Sequence, residues 1–270
     1  MNKKEKQAIG IFDSGVGGLT VAAAIKNLLP NEEMIYFGDT AHLPYGDKSA
    51  ESIKYYSKRI SEFLISQECK VIVIACNTAS SNAYLAVKEL VGEQAIVINV
   101  IDPVIEFILQ NKQHSKIGVI GTKSTIDSGS YQKNIQSGNR DINLVSLSTP
   151  LFAPMIEEGF IYDDISNAII RSYLSIEEFK TIDSLILGCT HYPIIRNQIR
   201  KFFNFNVEVI DSANVVARYL QQLLVEKNLL NNSNNPQHKF YVSDYTNYFK
   251  KIAEMFFDDE VFLTKLNFWK

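Results

Sequence analysis

Two apolar segments of the chain end in the same way, on a cysteine that small polar residues follow. The first is VIVIACNTAS, residues 71–80, and the second is SLILGCTHYP, residues 184–193. Short apolar runs of this kind predict buried strands, which places Cys76 and Cys189 at the carboxyl ends of two strands. Ligands bind at that end of an open α/β sheet, and the start of a following helix favours the thiolate form of a cysteine. A buried cysteine is also an ordinary small apolar core residue, but its repetition in two matched segments favours a function.

Two thiols on opposite sides of one cleft have a specific chemical use. Inverting a carbon stereocentre by proton transfer needs a base on one face of the carbon and an acid on the other, and thiols that titrate near neutral pH can serve as both. Asp13 and His191 are then the neighbours that tune the two sulfurs. Backbone amides and the hydroxyls of Ser14, Thr78 and Thr190 are expected to hold the carboxylates of a substrate and to stabilise the charge that develops as the Cα proton leaves.

Three further motifs provide candidate site residues. DSGVGGLT, residues 13–20, contains three glycines that permit a tight turn close to a ligand, although its aspartate can also be a plain helix cap. GDTAHLPYG places Pro44 and Tyr45 in a turn-prone loop that suits the wall of a small-ligand site. MIEEG offers Glu157 and Glu158, which are also ordinary solvated carboxylates near a helix end.

Several other chemistries do not fit the sequence. DSGVGGLT has Thr20 where a dinucleotide fingerprint needs its last glycine, and GVIGTKST lacks the glycine that precedes the lysine of a Walker motif. The arginine of a cysteine phosphatase loop is replaced by Asn82 in the first cysteine segment and by Ile195 in the second. Cys189 and His191 form a Cys-x-His pair without two further spaced ligands, which argues against zinc.

Composition limits the cellular setting and the partners. The chain has 270 residues, 46% hydrophobic content and a formal net charge of −3; its lysines and arginines are scattered among acidic residues, which argues against nucleic acid as a partner. No apolar run reaches the roughly 18 residues that span a bilayer, and MNKKEKQ leads into a strand instead of a signal-peptide core, so no membrane association is expected. Three cysteines are too few for a secreted disulfide framework and predict free thiols in the cytoplasm, with Cys69 in a structural role.

The elements that must position these residues form two similar series. Val- and Ile-rich runs predict buried strands, and apolar residues at three- and four-residue spacing between them predict helices, which together indicate parallel sheets. The segment IGIFDS near the start of the chain is echoed by IGVIGT, and the two cysteine segments are separated by a similar interval, so the chain consists of two halves built alike. The strands are expected at residues 8–12, 34–38, 71–75, 96–101, 117–120, 144–147, 185–187 and 207–210.

This repeat predicts two similar α/β lobes with mostly parallel sheets, related by a pseudo-twofold axis, with the active site in the cleft between them. The first lobe is expected to contain residues 1–99 together with 211–270, and the second residues 100–210. The part after residue 210 carries a long amphipathic helix, a strand at KFYVS and a short helix. It is too small for a third domain and is therefore placed with the first lobe.

Six motifs in this order resemble the bacterial glutamate racemases of peptidoglycan synthesis over nearly the whole chain: DSGVGGLT, GDTAHLPYG, ACNTAS, GVIGTKSTIDSGSY, PLFAPMIEEG and GCTHYP. The resemblance implies an interconversion of L- and D-glutamate without pyridoxal phosphate, any other cofactor or a metal. It implies that Cys76 and Cys189 are the two bases and that Asp13, Glu157 and His191 assist them. It also implies a cytoplasmic homodimer that supplies D-glutamate for the cell wall.

By the same resemblance, a further set of residues surrounds the substrate: Asp13, Ser14, Pro44, Tyr45, Gly46, Asn77, Thr78, Thr122, Thr125, Thr190 and His191. Aspartate-specific relatives usually lack the DSGVGG turn and have glutamate in place of His191, so this histidine favours glutamate as the substrate. Thr149 stands where family members often have a cysteine, but it is not a proposed base. Whether Glu157 or Glu158 is the relevant carboxylate stays open at this level.

Two other functions stay open on the sequence alone. One is a racemase or decarboxylase of the same superfamily with another acidic substrate, which a comparison of aspartate and glutamate turnover separates. The other is a non-catalytic, two-lobed sensor that binds an amino acid. Such a sensor has no need for thiols on both sides of the cleft and should bind its ligand with both cysteines replaced by serine.

Overall fold

Strands and helices alternate along the chain in the computed structural model, which describes residues 3–111, 115–231, 236–245, 247–257 and 261–269. Within these ranges the strands are β1 (Ile9–Asp13), β2 (Met34–Gly38), β3 (Val71–Ile74), β4 (Ile96–Asn99), β5 (Lys116–Gly121), β6 (Asn143–Ser148), β7 (Ser184–Gly188), β8 (Glu208–Ile210), β9 (Lys239–Val242) and β10 (Leu263–Lys265). The α-helices are α1 (Leu19–Leu28), α2 (Ala50–Ser66), α3 (Asn77–Val91), α4 (Asp102–Gln110), α5 (Lys123–Asp127), α6 (Ser130–Gly138), α7 (Phe152–Glu157), α8 (Asp164–Leu174), α9 (Arg196–Phe202), α10 (Ser212–Glu226) and α11 (Asn247–Phe256).

The strands form two separate parallel sheets. The first has the strand order β10-β9-β2-β1-β3-β4 and the second the order β6-β5-β7-β8. The four strands β2-β1-β3-β4 therefore repeat the order of the second sheet, with β1 equivalent to β5 and β3 equivalent to β7. This equivalence is the structural counterpart of the repeated segments IGIFDS and IGVIGT. The predicted fold class of two α/β lobes with parallel sheets is confirmed.

Helices cover both faces of each sheet. β1, β2 and β7 are buried at every position, and burial on both faces explains why their sequences are continuously apolar instead of alternating. In the first sheet α1 packs with α10 on one face and α2 with α3 on the other; in the second sheet α4 packs with α6 and α8 with α9. Of the helices in the described ranges, none has the length and apolar character of a membrane span.

The sequence patterns did not identify several elements. The strand expected at 96–101 ends at Asn99, because its side-chain oxygen accepts the backbone N–H groups of Ile101 and Asp102, each at 2.8 Å, and turns the chain into α4. α8, which begins with a reciprocal Asp163–Ser166 capping box, was not predicted. β10 has three residues with partly or fully exposed side chains, so it lacks the buried apolar run that predicts a strand.

The segments after residue 235 extend the first sheet. β9 pairs in parallel with β2, with Ile35 opposite Lys239, and β10 pairs with β9. The chain thus leaves the first sheet after β4, builds the whole second sheet, and returns to the first one through α10, which packs against α1.

Candidate active site

Both cysteines lie at the carboxyl ends of central strands. Cys76 follows β3 and Cys189 follows β7, and each strand neighbours the one at which the strand order of its sheet reverses, β1 and β5 respectively. Such a reversal leaves a crevice at the carboxyl ends of a parallel sheet, where ligands bind. Asp13 and Ser14 at the end of β1 share the first crevice with Cys76, and Thr122 after β5 shares the second with Cys189.

Cys76 is a buried thiol held at the start of a helix. It is the N-cap of α3, where its Sγ accepts the Ala79 N–H at 3.5 Å and its thiol donates to Ser14 Oγ at 3.7 Å. Burial and then the Asp13 carboxylate raise the pKa of the Cys76 thiol to about 12, against the lowering effect of these two hydrogen bonds. The sequence predicted a thiol that titrates near neutral pH; burial of Cys76 acts in the opposite direction and favours the neutral thiol.

The Asp13 carboxylate accepts hydrogen bonds from the glycine turn and from the second lobe. Its Oδ2 accepts the backbone N–H groups of Gly15 and Gly18, each at 3.0 Å. Its Oδ1 accepts the Thr190 hydroxyl of the second lobe at 3.4 Å. The carboxylate is fully buried, so its position is set by this turn. Asp13 thus satisfies two amides that precede α1, and its charge acts on the neighbouring Cys76.

The second cysteine is followed by a chain of polar contacts. Cys189 Sγ lies 3.7 Å from His191 Nδ1, and His191 Nε2 lies 3.0 Å from Glu157 Oε1. The second contact is an ion pair that lies off the direction of a good N–H hydrogen bond. Burial alone would lower the pKa of His191, but the Cys189 sulfur and the Glu157 carboxylate outweigh it and hold this pKa well above its usual value. Glu158 is exposed, so Glu157 is the carboxylate that contacts the histidine.

Three threonine hydroxyls meet between the lobes. Thr78 Oγ1, in the first turn of α3, lies 3.0 Å from Thr122 Oγ1 and 3.3 Å from Thr125 Oγ1. Thr122 is the N-cap of α5 and accepts the Thr125 N–H. Hydroxyls and helix N-terminal amides at one place are the groups that bind a carboxylate without arginine.

Asn77 links the lobes next to Cys76. Its side-chain Nδ2 donates to the hydroxyl of Tyr131 on α6 at 2.9 Å. Its Oδ1 is buried without a hydrogen-bond partner among the described residues, which leaves an acceptor for a donor group of a ligand. Tyr131 is a site residue that sequence reasoning did not single out, although it is the last residue of the motif GVIGTKSTIDSGSY.

The three residues Pro44, Tyr45 and Gly46 of one loop differ in whether they contact the second lobe. Pro44 is exposed. Tyr45 is buried, and its hydroxyl donates to Asp39 Oδ2 at 2.7 Å within the first lobe. Gly46 packs on the second lobe, since a Cβ at this position would lie 2.9 Å from Thr122 Cβ. Gly46 is thus the residue of the three that reaches across the cleft.

The glycine turn also touches the second lobe directly. A Cβ on Gly17 would overlap the Thr190 hydroxyl and lie 2.7 Å from His191 Nδ1. Thr20 Oγ1 donates to the Thr190 carbonyl at 3.2 Å. The lobes are therefore closed on each other around the two cysteines, and a side chain at Gly17 is not compatible with this closure.

The remaining expectations concern the surroundings of Cys189. Thr149 is fully buried, and its hydroxyl lies 2.7 Å from the Tyr192 hydroxyl, so its side chain is part of the packing. In the part of the chain that the structure describes, no group of three His, Cys, Asp or Glu side chains is arranged to hold a metal ion.

Comparison with known proteins shows the family of this chain. A profile of the Asp/Glu/Hydantoin racemase family matches residues 19–220. The curated glutamate racemase of Geobacter metallireducens is 40% identical over 93% of this chain and 92% of its own length, and that of Chlorobaculum parvum is 40% identical over 94% and 93%. The crystal structure of the Francisella tularensis glutamate racemase in complex with D-glutamate has a TM-score of 0.91 and 40% identity, and covers 98% of this chain and 99% of that one. The chain belongs to the Asp/Glu/hydantoin racemase family, among relatives that are glutamate racemases.

Proposed function

We propose that this protein interconverts L- and D-glutamate by proton transfer at Cα between Cys76 and Cys189. The observation that carries the proposal is the placement of the two thiols at the carboxyl ends of equivalent strands in two lobes of the same topology. Contacts between the lobes surround this place, from Thr190 to Asp13 and from Asn77 to Tyr131. A Cα between the sulfurs then has one sulfur on each face.

In the proposed reaction one thiol is deprotonated while the other carries its proton. Charge on Cys189 raises the pKa of Cys76, as expected for like charges close together. One sulfur is then the acid while the other is the base, and the roles exchange when the proton has crossed to the other face. The base removes the Cα proton and the acid delivers its own proton to the opposite face, so each turnover inverts the carbon. Afterwards the former base carries a proton and the former acid does not, which is the state required for the reverse reaction.

Each sulfur has its own supporting groups. Asp13 lies on the Cys76 side, where its negative charge favours the neutral thiol. His191 lies on the Cys189 side, with Nδ1 3.7 Å from the sulfur and Nε2 3.0 Å from Glu157 Oε1. We propose that Cys189 is the base and Cys76 the acid for one of the two enantiomers, and that the roles are reversed for the other.

The polar groups around the sulfurs fit a dicarboxylic amino acid. The hydroxyls of Thr78, Thr122 and Thr125 suit a carboxylate, and Asn77 Oδ1 suits the ammonium group. Donors near the Cα carboxylate also stabilise the negative charge that builds up on it as the proton leaves. Glutamate is proposed as the substrate because the similar curated proteins are named glutamate racemases.

Solvent exchange tests the proposed reaction directly. The purified protein is incubated in D₂O with L-glutamate or D-glutamate, and optical rotation and Cα deuterium are followed together. Starting from either enantiomer, we expect optical rotation to be lost and deuterium to be incorporated at Cα of the product enantiomer. Aspartate should be turned over at least about tenfold more slowly. Absence of both exchange and racemisation would reject the proposal, and faster turnover of aspartate would reject glutamate as the substrate.

The proposal extends to the role of the product, the cellular compartment and the oligomeric state. D-glutamate made here would supply peptidoglycan synthesis, which growth of a D-glutamate auxotroph carrying this gene tests. The three cysteines are free and buried, which suits a reducing cytoplasm. The homodimer implied by the family resemblance stays a prediction, and light scattering of the purified protein measures it.

The pairing of Glu157 with His191 predicts a shift in the pH dependence. Glu157 raises the pKa of His191, so Glu157→Gln removes a negative charge that favours the imidazolium and lowers this pKa. The form with a cationic His191 then disappears at lower pH, and the basic limb of kcat/KM moves down by about one pH unit. The profile is measured from both enantiomers. Glu158→Gln is the matched control: its carboxylate is exposed, and an equal shift in this variant would contradict the assignment.

A further inference from the structure

Asp39, the residue after β2, is a fully buried carboxylate that the proposed reaction does not use. Its Oδ2 accepts the Tyr45 hydroxyl at 2.7 Å, and its Oδ1 accepts the Ser243 hydroxyl at 2.7 Å and the Trp269 indole N–H at 2.8 Å. His42 Nδ1 lies within 3.1 Å of both oxygens. Four side chains from three separate segments of the chain, 42–45, 243 and 269, therefore meet on one buried carboxylate.

The indole reaches Asp39 from the segment that follows β10. Trp269 packs edge-on against His42, with ring centroids 4.6 Å apart, and against Tyr56 at 5.3 Å. The preceding Phe268 packs on Phe37 of β2 at 4.7 Å. These ring contacts hold residues 266–269, named here the C-terminal strap, against β2, the loop 40–46 and α2.

Asp39 connects the strap to both sides of the cleft. Its backbone N–H donates to the Asp13 carbonyl at 3.0 Å, so it is anchored at the end of β1. Through the Tyr45 hydroxyl it holds the loop whose Gly46 packs on Thr122 of the second lobe. The position of this loop at the edge of the closed cleft thus depends on how well the Asp39 carboxylate is satisfied.

We propose that Trp269 is a positioning residue for the racemase reaction. By donating to Asp39, the C-terminal strap keeps Tyr45 and Gly46 where they close the cleft over the substrate. The inference rests on the proposed function and adds a residue far from the sulfurs to it. A hydrogen bond to a buried carboxylate is stronger than one between neutral groups, and its loss frees Asp39 to draw Tyr45 into a new arrangement.

The first test compares Trp269→Phe with an exposed control. Phenylalanine keeps an aromatic ring in the strap and removes the indole N–H. We expect KM for both enantiomers to rise about tenfold with kcat changed by less than about threefold, since loop closure contributes to binding more than to proton transfer. Phe262→Ala, at a side chain that is 77% exposed, should leave both constants unchanged. An unaltered KM in Trp269→Phe would overturn the proposal.

A double variant shows whether the indole acts through the loop. Tyr45→Phe removes the other end of the connection, so it should raise KM by a similar factor. If Trp269 acts through Asp39 and Tyr45, the pair Trp269→Phe and Tyr45→Phe raises KM no further than Tyr45→Phe alone. Multiplied effects of the two changes would mean independent roles and would overturn the proposal.

A third measurement needs no activity and separates the two proposals. Trp269 is the single tryptophan of the chain, so its fluorescence reports on the strap alone. In the absence of glutamate, Tyr45→Phe should increase quenching of this fluorescence by acrylamide about twofold, while Phe262→Ala should not. If the protein racemises nothing but the quenching changes as expected, the proposed function fails and the connection between strap and loop stands. Unchanged quenching in Tyr45→Phe would overturn the connection itself.

Discussion

Replacing either Cys76 or Cys189 with alanine is expected to reduce racemisation by at least about 10⁴-fold, because each removes the proton donor or acceptor on one face of the Cα. The remaining sulfur still faces its own side of the carbon. In D₂O each variant should therefore place deuterium in one enantiomer with retention of configuration, and the two variants should do so in opposite enantiomers. Chiral chromatography with mass spectrometry measures both quantities in one sample.

The third cysteine offers a matched control for this experiment. Cys69 is buried in the core of the first lobe between α2 and β3, and Gly10 lies against its sulfur. Cys69→Ala should cost about 1 kcal/mol of unfolding free energy and leave racemisation within about twofold of the wild type. If Cys76→Ala or Cys189→Ala keeps racemisation at the level of this control, the two-thiol mechanism is wrong.

Gly17→Ala is expected to lower kcat/KM by about 10²-fold in both directions. The new Cβ overlaps the Thr190 hydroxyl and lies 2.7 Å from His191 Nδ1. Both neighbours are buried and cannot retract, so either the histidine moves from Cys189 or the lobes separate. A displacement of about 1 Å in a catalytic group is sufficient for a loss of this size. Overpacking should also reduce the free energy of unfolding by about 1–3 kcal/mol, which urea titration measures.

A second glycine separates loss of stability from loss of closure. Gly92 ends α3 with a φ of +55°, and a Cβ there would meet nothing within 4 Å. Gly92→Ala therefore lowers stability by about 1–3 kcal/mol through backbone strain alone and leaves the cleft intact. We expect full activity in this variant below its unfolding temperature. Full activity in a folded Gly17→Ala would show instead that the closed arrangement is not needed for turnover.

The fold could be predicted largely because its central strands β1, β2, β3 and β7 are buried on both faces. Continuous Val and Ile runs mark such strands without ambiguity in a chain of this length, and the repeated IGIFDS and IGVIGT segments indicated two similar sheets. Short elements with little apolar pattern were missed. β10 has two exposed residues out of three, and α4 begins at Asp102 where the sequence suggested only a boundary between halves. Local hydrogen bonding, as at Asn99, decides such positions, and no spacing rule reports it.

The candidate site could be predicted to the extent that it follows strand ends. The positions of Cys76 and Cys189 follow from the rule that ligands meet the carboxyl ends of parallel strands. Residues that reach the site across the lobes, such as Tyr131, carry no local signal of their contact. The Trp269–Asp39 hydrogen bond joins residues 230 positions apart, and only the completed sheet brings them together. The effect of burial, which raises the pKa of Cys76, does not follow from the position of this cysteine at a strand end.

The insertion of one whole lobe into the other has a consequence for biosynthesis. β2 ends at Gly38 and its neighbour β9 begins at Lys239, so roughly 200 residues separate the two strands. At typical ribosomal speeds this interval takes about 10 to 40 s. The inserted lobe, whose strands are contiguous in the chain, can fold on the ribosome during that time. The edge of β2 that later pairs with β9 stays unpaired and can form incorrect strand pairs. The first sheet therefore receives its strands β9 and β10 only after the whole second sheet has been synthesised.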